Sequence, residues 1–132
     1  MERKYLGRIG LSKAIDYFSM QGYTVSIPLN DTQWYDLIVE KDGILELVQC
    51  KSTMTAKNEI DFRSTGGTKG YEYDNILNHP ELKWLFCVDK DFNCYNIPIE
   101  DIRIAGNMRA IKLRSAPNAN NQGFETYKYL IK

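Results

Sequence analysis

Apolar and polar positions along the chain follow two rhythms. Near the start, Leu11, Ala14, Ile15 and Phe18 take the i, i+3, i+4, i+7 spacing of one buried helical stripe, with Leu6 a turn earlier. Gly22 follows the stripe as a stop signal, so the spacing predicts a helix over about 4–21. The rhythm then changes. Residues 23–27 are β-branched and aromatic and end at Pro28, residues 35–40 form a second strand-like run, and residues 44–51 a third. Asn30-Asp31-Thr32 has turn chemistry, and Lys41-Asp42-Gly43 supplies an Asp-Gly hairpin turn. Residues 59–63 alternate as a short fourth strand.

Residues 64–70 are small and polar and predict a loop. Residues 71 to about 78 read as a short helix ended by His79-Pro80. Residues 84–88 form a strongly apolar strand, and a turn at 90–93 leads to a partner at 94–97. Residues 98–102 read as a helical turn or connector, 110–113 as a last strand, and 115–123 as an irregular loop. The order predicts an α/β or α+β sandwich around one mixed sheet, in one domain spanning 1–132.

Composition narrows this picture modestly. Apolar residues make up 43% and charged residues 26%, an ordinary globular balance. No apolar run approaches the roughly 20 residues of a bilayer span, so no membrane association is expected. The start, Met1-Glu2-Arg3-Lys4-Tyr5, does not resemble a secretory signal. Cys50, Cys87 and Cys94 match no zinc spacing and read as buried free thiols of a cytoplasmic protein.

The formal net charge is zero, but its distribution is uneven. Residues 1–13 carry Arg3, Lys4, Arg8 and Lys13 against Glu2, a net of +3. Residues 103–132 carry Arg103, Arg109, Lys112, Arg114, Lys128 and Lys132 against Glu125, a net of +5, which leaves −8 for the middle. Basic ends around an acidic centre suit a phosphate-facing surface beside a metal site, and equally suit charges scattered over solvated faces.

One constellation carries chemistry. With Asp42-Gly43 as a two-residue loop, Lys41 pairs with Ile44, and continuing that register sets Asp36 opposite Gln49. The strand period of two puts Lys51 on the same face as Gln49. A carboxylate, an amide and an ammonium therefore converge at one end of a hairpin. Asp36 can hold Mg²⁺ or Mn²⁺, with the Gln49 side-chain oxygen and the Cys50 backbone carbonyl as further oxygen ligands. Lys51 would stabilise charge at a phosphate or help deprotonate water. The plainer alternative is an Asp36–Lys51 salt bridge at the sheet rim.

This arrangement resembles the PD-(D/E)XK superfamily of nucleases, whose pattern is an acid on one strand and an acid-x-Lys on the next. Asp36 matches the acid and Lys51 the lysine, while Gln49 stands where Asp or Glu is usual. Gly7 and the following helix, Gly22-Tyr23-Thr24-Val25, Ile27-Pro28-Leu29, Tyr35-Asp36-Leu37-Ile38-Val39 and Val48-Gln49-Cys50-Lys51 resemble one branch of it, over about residues 4–100. That branch holds phage and intron-encoded homing endonucleases, is related to archaeal Holliday junction resolvases, and uses the Gln-Cys-Lys variant. The resemblance implies a restriction-endonuclease-like core with a mixed β-sheet flanked by helices. It also implies metal-dependent hydrolysis of double-stranded DNA and assembly as a homo-oligomer, dimer or tetramer.

One departure stands out. Relatives often carry Glu four residues after the equivalent of Gly7, where this chain has Leu11, a residue of the buried stripe. Glu2 and Asp16 are nearby in sequence, and Glu46 has the wrong strand parity to help. The region after the site places Ser52, Arg63, Ser64, Thr65 and Lys69 as DNA-contact candidates, with Arg8 from the basic start. Trp34 divides evenly between core and DNA contact; Tyr71 and Tyr73 read as helix packing and His79 as structural. The strands at 84–88 and 95–97 are candidates for an interface. Rival functions are a Holliday junction resolvase and a non-catalytic DNA-binding module on the same fold.

Overall fold

A computed structural model describes residues 2–30, 33–64, 74–106, 108–117 and 123–132, without the side chains of residues 64 and 74. Helix α1 (Arg3–Met20) leads into strands β1 (Thr24–Ser26), β2 (Leu37–Lys41) and β3 (Ile44–Ser52). Then come β4 (Glu59–Asp61), β5 (Arg63–Ser64), β6 (Asp74–Asn75) and a 3₁₀ turn (Ile76–Asn78). The chain continues through β7 (Leu82–Val88), β8 (Cys94–Pro98), α2 (Ile99–Ala105), β9 (Ala110–Lys112) and a second 3₁₀ turn (Thr126–Tyr129). No described helix is long and apolar enough to cross a membrane.

The main sheet runs β1-β2-β3-β7-β8. β3 and β7 are parallel and every other neighbouring pair is antiparallel, so the sheet is mixed, as the element order predicts. The β2–β3 register follows from the turn. Asp42 and Gly43 have φ of 53° and 81°, the two positive values a tight two-residue hairpin requires. Lys41 pairs with Ile44, and the ladder runs back to Leu37 opposite Val48.

The two faces of the sheet bury separate clusters. α1 lays Ala14 and Phe18 over Leu37, Val39, Val48, Phe86 and Val88, with Leu11 and Ile15 packed at the margin. The opposite face packs Leu85, Cys87, Tyr95 and Ile97 against α2, β4 and β9 through Ile99, Ile102, Ile60 and Ile111. β4 pairs with β9, and Asn58 anchors it by donating Nδ2–H to the Leu113 carbonyl at 3.0 Å.

Three expectations change. Residues 74–78 are a short strand and a 3₁₀ turn rather than a helix: Asn75 accepts from the Leu77 N–H at 2.8 Å and starts a tight turn, which Pro80 follows. Tyr71 and Tyr73 lie outside the described residues. In the strands at 84–88 and 95–97, Leu85, Phe86, Cys87, Val88, Tyr95 and Ile97 are all at most 1% exposed, so these side chains pack inside the chain although β8 is an edge strand of the sheet. β7 is buried on both faces, which gives the unbroken apolar run that resembled an interface. The cysteines are free, but only Cys87 is fully buried.

Trp34 belongs to the core side, stacked on the His79 ring with centroids 4.0 Å apart. Arg103 Nη2 donates to the His79 carbonyl at 2.6 Å and fixes that corner.

Candidate active site

β2 and β3 end together where the sheet meets α1 and β4. The ladder stops at Leu37 and Val48, so Asp36 is not a regular partner of Gln49. It bends over the end of β3 instead, with its N–H donating to the Val48 carbonyl at 2.8 Å. Its carboxylate Oδ2 accepts from the Cys50 N–H, also at 2.8 Å. This side-chain-to-backbone bond ties the acid to the strand that carries Gln49 and Lys51.

A register shift in the β3–β7 pairing, between Leu47 and Val48, falls just before Gln49. Such irregularities re-aim side chains at strand ends. Beyond it Gln49 lies beside Leu85, and Lys51 beside the buried Cys87.

Burial dominates the electrostatics. It raises the Asp36 pKa above its ordinary value, while the Cys50 N–H and the Lys51 charge pull the other way. Burial also lowers the Lys51 pKa, opposed most strongly by Asp61, then Cys87 and Asp36. Lys51 Nζ donates to the Arg63 carbonyl at 3.1 Å. Among the described residues no direct ion pair joins Asp36 to Lys51, so the plain salt-bridge alternative is not what the site contains.

Gln49 Oε1 is buried and accepts no hydrogen bond, while its Nε2 makes only a long 3.4 Å contact with the Cys50 carbonyl. An orphaned buried acceptor is costly. A divalent cation shared with Asp36 would satisfy it and offset the desolvation of the acid, so the donor set fits a hard cation with oxygen ligands. Cys50 can add only its carbonyl, because its side chain packs among the α1-side residues.

Among the described residues no group of three or more His, Cys, Asp or Glu side chains is placed to hold a metal ion. Leu11 is core packing. Glu2 lies 3.6 Å from Lys4, Glu40 accepts from the Gly43 N–H at 2.7 Å, and Glu46 accepts from Trp84 Nε1 at 3.2 Å.

An open groove of about 640 Å³ runs past Lys51, bounded by the start of α1, the end of β3 and β4–β5. Ser52 and Arg63 line it, as do Arg3, Thr55 and Asp61, which were not singled out from sequence. Asp61 had a legible signal in the 59–63 alternation, which sets Asp61 and Arg63 opposite Ile60 and Phe62. Arg8 stands on the outer surface of α1, its guanidinium 5.6 Å from the Tyr5 ring centroid. Thr65, Lys69 and the side chain of Ser64 lie outside the described residues. Gly10 is a further missed position: a Cβ there would collide with Ser52 Oγ, so its bareness lets α1 close on the end of β3.

No curated protein matches the chain by sequence. A solved structure titled as that of a bacterial homing endonuclease, I-Ssp6803I, superposes with a TM-score of 0.73 at 22% identity, covering 98% of this chain and 89% of that one. At that identity the likeness establishes the fold, a mixed sheet flanked by helices. Residues 1–128 match the family model described as PD-(D/E)XK endonuclease, and the chain belongs to that family.

Proposed function

We propose that the protein is a metal-dependent endonuclease that hydrolyses phosphodiester bonds in double-stranded DNA at particular sites, as a homing enzyme does. The observation that carries this reading is the orphaned Gln49 oxygen, on the strand whose Cys50 N–H holds Asp36 and whose end presents Lys51. Family membership supports nuclease chemistry, and the homing endonuclease neighbour supports a specific target.

Asp36 and Gln49 would hold Mg²⁺ or Mn²⁺, with the Cys50 carbonyl as a third oxygen. The bound ion would supply Lewis acidity toward the phosphate and acidify a water. The chain's own residues do the rest. The Cys50 N–H orients the Asp36 carboxylate. Lys51, its ammonium pKa lowered by burial, balances charge at the phosphate and can exchange a proton there. Arg3 and Arg63 offer cations along the groove, and Ser52 and Thr55 offer hydroxyls. Arg8, Ser64, Thr65 and Lys69 remain DNA-contact candidates beyond it.

One site per chain cuts one strand, so breaking a duplex needs a homodimer or tetramer. Free thiols suit a cytoplasmic setting.

The test is cleavage of duplex DNA from the host locus in Mg²⁺, in Mn²⁺ and in chelator. Lys51→Ala is expected to abolish cutting and leave DNA binding largely intact; equal cutting by variant and wild type removes the assignment. Preferential cutting of four-way junctions over duplex would favour the resolvase reading. Leu11 and Gln49, at positions where relatives often carry acids, favour one rival, a non-catalytic DNA-binding module. Binding without cleavage in either metal would establish it.

A further inference from the structure

β4 and β5 continue as one extended run. Ile60 and Phe62 point into the core at 2% and 0% exposure, while Asp61 and Arg63 line the groove beside Lys51. The buried half is fixed by backbone bonds: the Phe62 N–H donates to the Arg109 carbonyl, and the Ile76 N–H to the Phe62 carbonyl, both at 3.0 Å.

In the groove half, the Asp61 side chain clamps Arg63. Asp61 Oδ1 accepts from the Arg63 backbone N–H at 2.7 Å and from Arg63 Nε at 3.0 Å. Its Oδ2 accepts from Nε at 3.1 Å and from Nη2 at 2.7 Å. The same Arg63 turns its carbonyl to Lys51 Nζ, 3.1 Å away.

We infer that Asp61 is a positioning residue for the reaction: by clamping Arg63 it aims the Arg63 carbonyl at Lys51 and fixes where the ammonium sits at the end of β3. The ammonium is a point charge on a flexible four-carbon stem, so one fixed acceptor decides where it spends its time. An ion pair this exposed contributes little to folding, which leaves orientation as the work of the clamp.

The inference rests on the reading that Lys51 acts in DNA cleavage. The test compares wild type, Asp61→Ala, Asp61→Asn and Lys51→Ala by three measurements. These are the single-turnover rate at saturating duplex DNA with Mg²⁺, the Kd for that DNA in Ca²⁺, and Tm. Asp61→Ala is expected to lose about 10- to 100-fold in rate, the size of effect a misplacement of about 1 Å produces. Its Kd is expected to stay within about threefold of wild type, because the lost interaction orients a group and binds no DNA.

Asp61→Asn keeps an oxygen for the Arg63 N–H, so its rate is expected to fall between those of wild type and Asp61→Ala. If Asp61→Ala does not fold, Asp61→Asn alone carries the comparison with wild type. A wild-type rate in either folded variant, or a loss found wholly in Kd, overturns the inference. Failure of the functional reading looks different, since then Lys51→Ala cuts as well as wild type or wild type itself does not cut.

Discussion

Asp36 Oδ2 and the Cys50 N–H lie 2.8 Å apart, and this bond places the acid that precedes β2 over the residue between Gln49 and Lys51. It has a measurable consequence for stability. Burial disfavours the ionised form of Asp36 and raises its pKa. Asp36→Asn keeps an acceptor for the Cys50 N–H and removes the charge. The variant is expected to be as stable as metal-free wild type or more so, with cleavage reduced at least about 100-fold. Thermal denaturation with and without Mg²⁺ checks the cause: metal should raise the wild-type Tm and leave that of Asp36→Asn unmoved. An equal rise in both would place the metal elsewhere.

Gln49→Glu puts an acid where most of the superfamily has one. Its buried oxygen accepts no hydrogen bond, so the new carboxylate enters desolvated. The variant is expected to lose about 1–3 kcal/mol without metal, the usual cost of an unsatisfied buried polar group or more. In saturating Mg²⁺ it should recover and show a larger metal-dependent gain in Tm than wild type. Titrating Tm against Mg²⁺ for both proteins measures the difference, and an identical gain would mean that Gln49 does not face the ion.

Much of this site was legible because its geometry is local. The Asp42-Gly43 turn sets the hairpin register, and the register sets which side chains share a face. The last step of that reasoning failed by one residue, because Asp36 leaves the ladder to accept the Cys50 N–H, and periodicity does not report where a ladder ends. The helix stripe was equally clear, down to Gly22 at the helix end with a φ of 89°. What stayed hidden depends on distant partners. The doubly buried β7 reads like an interface until Leu47 and Leu82 are seen paired. Asp61 reads as a surface acid until Lys51 is seen to reach the carbonyl of Arg63.

The contact between α1 and β3 gives a third prediction, as a coupling between two small residues. Gly10→Ala alone should gain about 0.5–1 kcal/mol from helix propensity. Here the added methyl meets Ser52 Oγ, so in the wild-type background that gain is expected to vanish or reverse. In a Ser52→Ala background, where the oxygen is gone, the gain should reappear. A double-mutant cycle by denaturant titration reads the coupling, expected at about 0.5–1.5 kcal/mol for residues in direct contact. Additive effects would mean that α1 does not close on Ser52.

The last prediction concerns the second 3₁₀ turn, which packs beside β8 at the far side of the sheet. Tyr129 donates its hydroxyl to Asp101 Oδ2 at 2.7 Å, tying the C-terminal segment to α2. Burial, and then the Asp101 carboxylate, push the Tyr129 pKa up to about 12. A phenol that holds its proton more tightly when folded adds stability that is complete below its unfolded pKa, near 10. That contribution drains away as pH rises through about 12. Tyr129→Phe removes the bond at every pH and is expected to cost about 1 kcal/mol at pH 7. The stability gap between wild type and Tyr129→Phe should therefore hold steady to about pH 10 and close above it. Urea titrations from pH 7 to 11.5 measure that gap, and one that stayed constant to the top of the range would show that the hydroxyl does not hold Asp101 in solution.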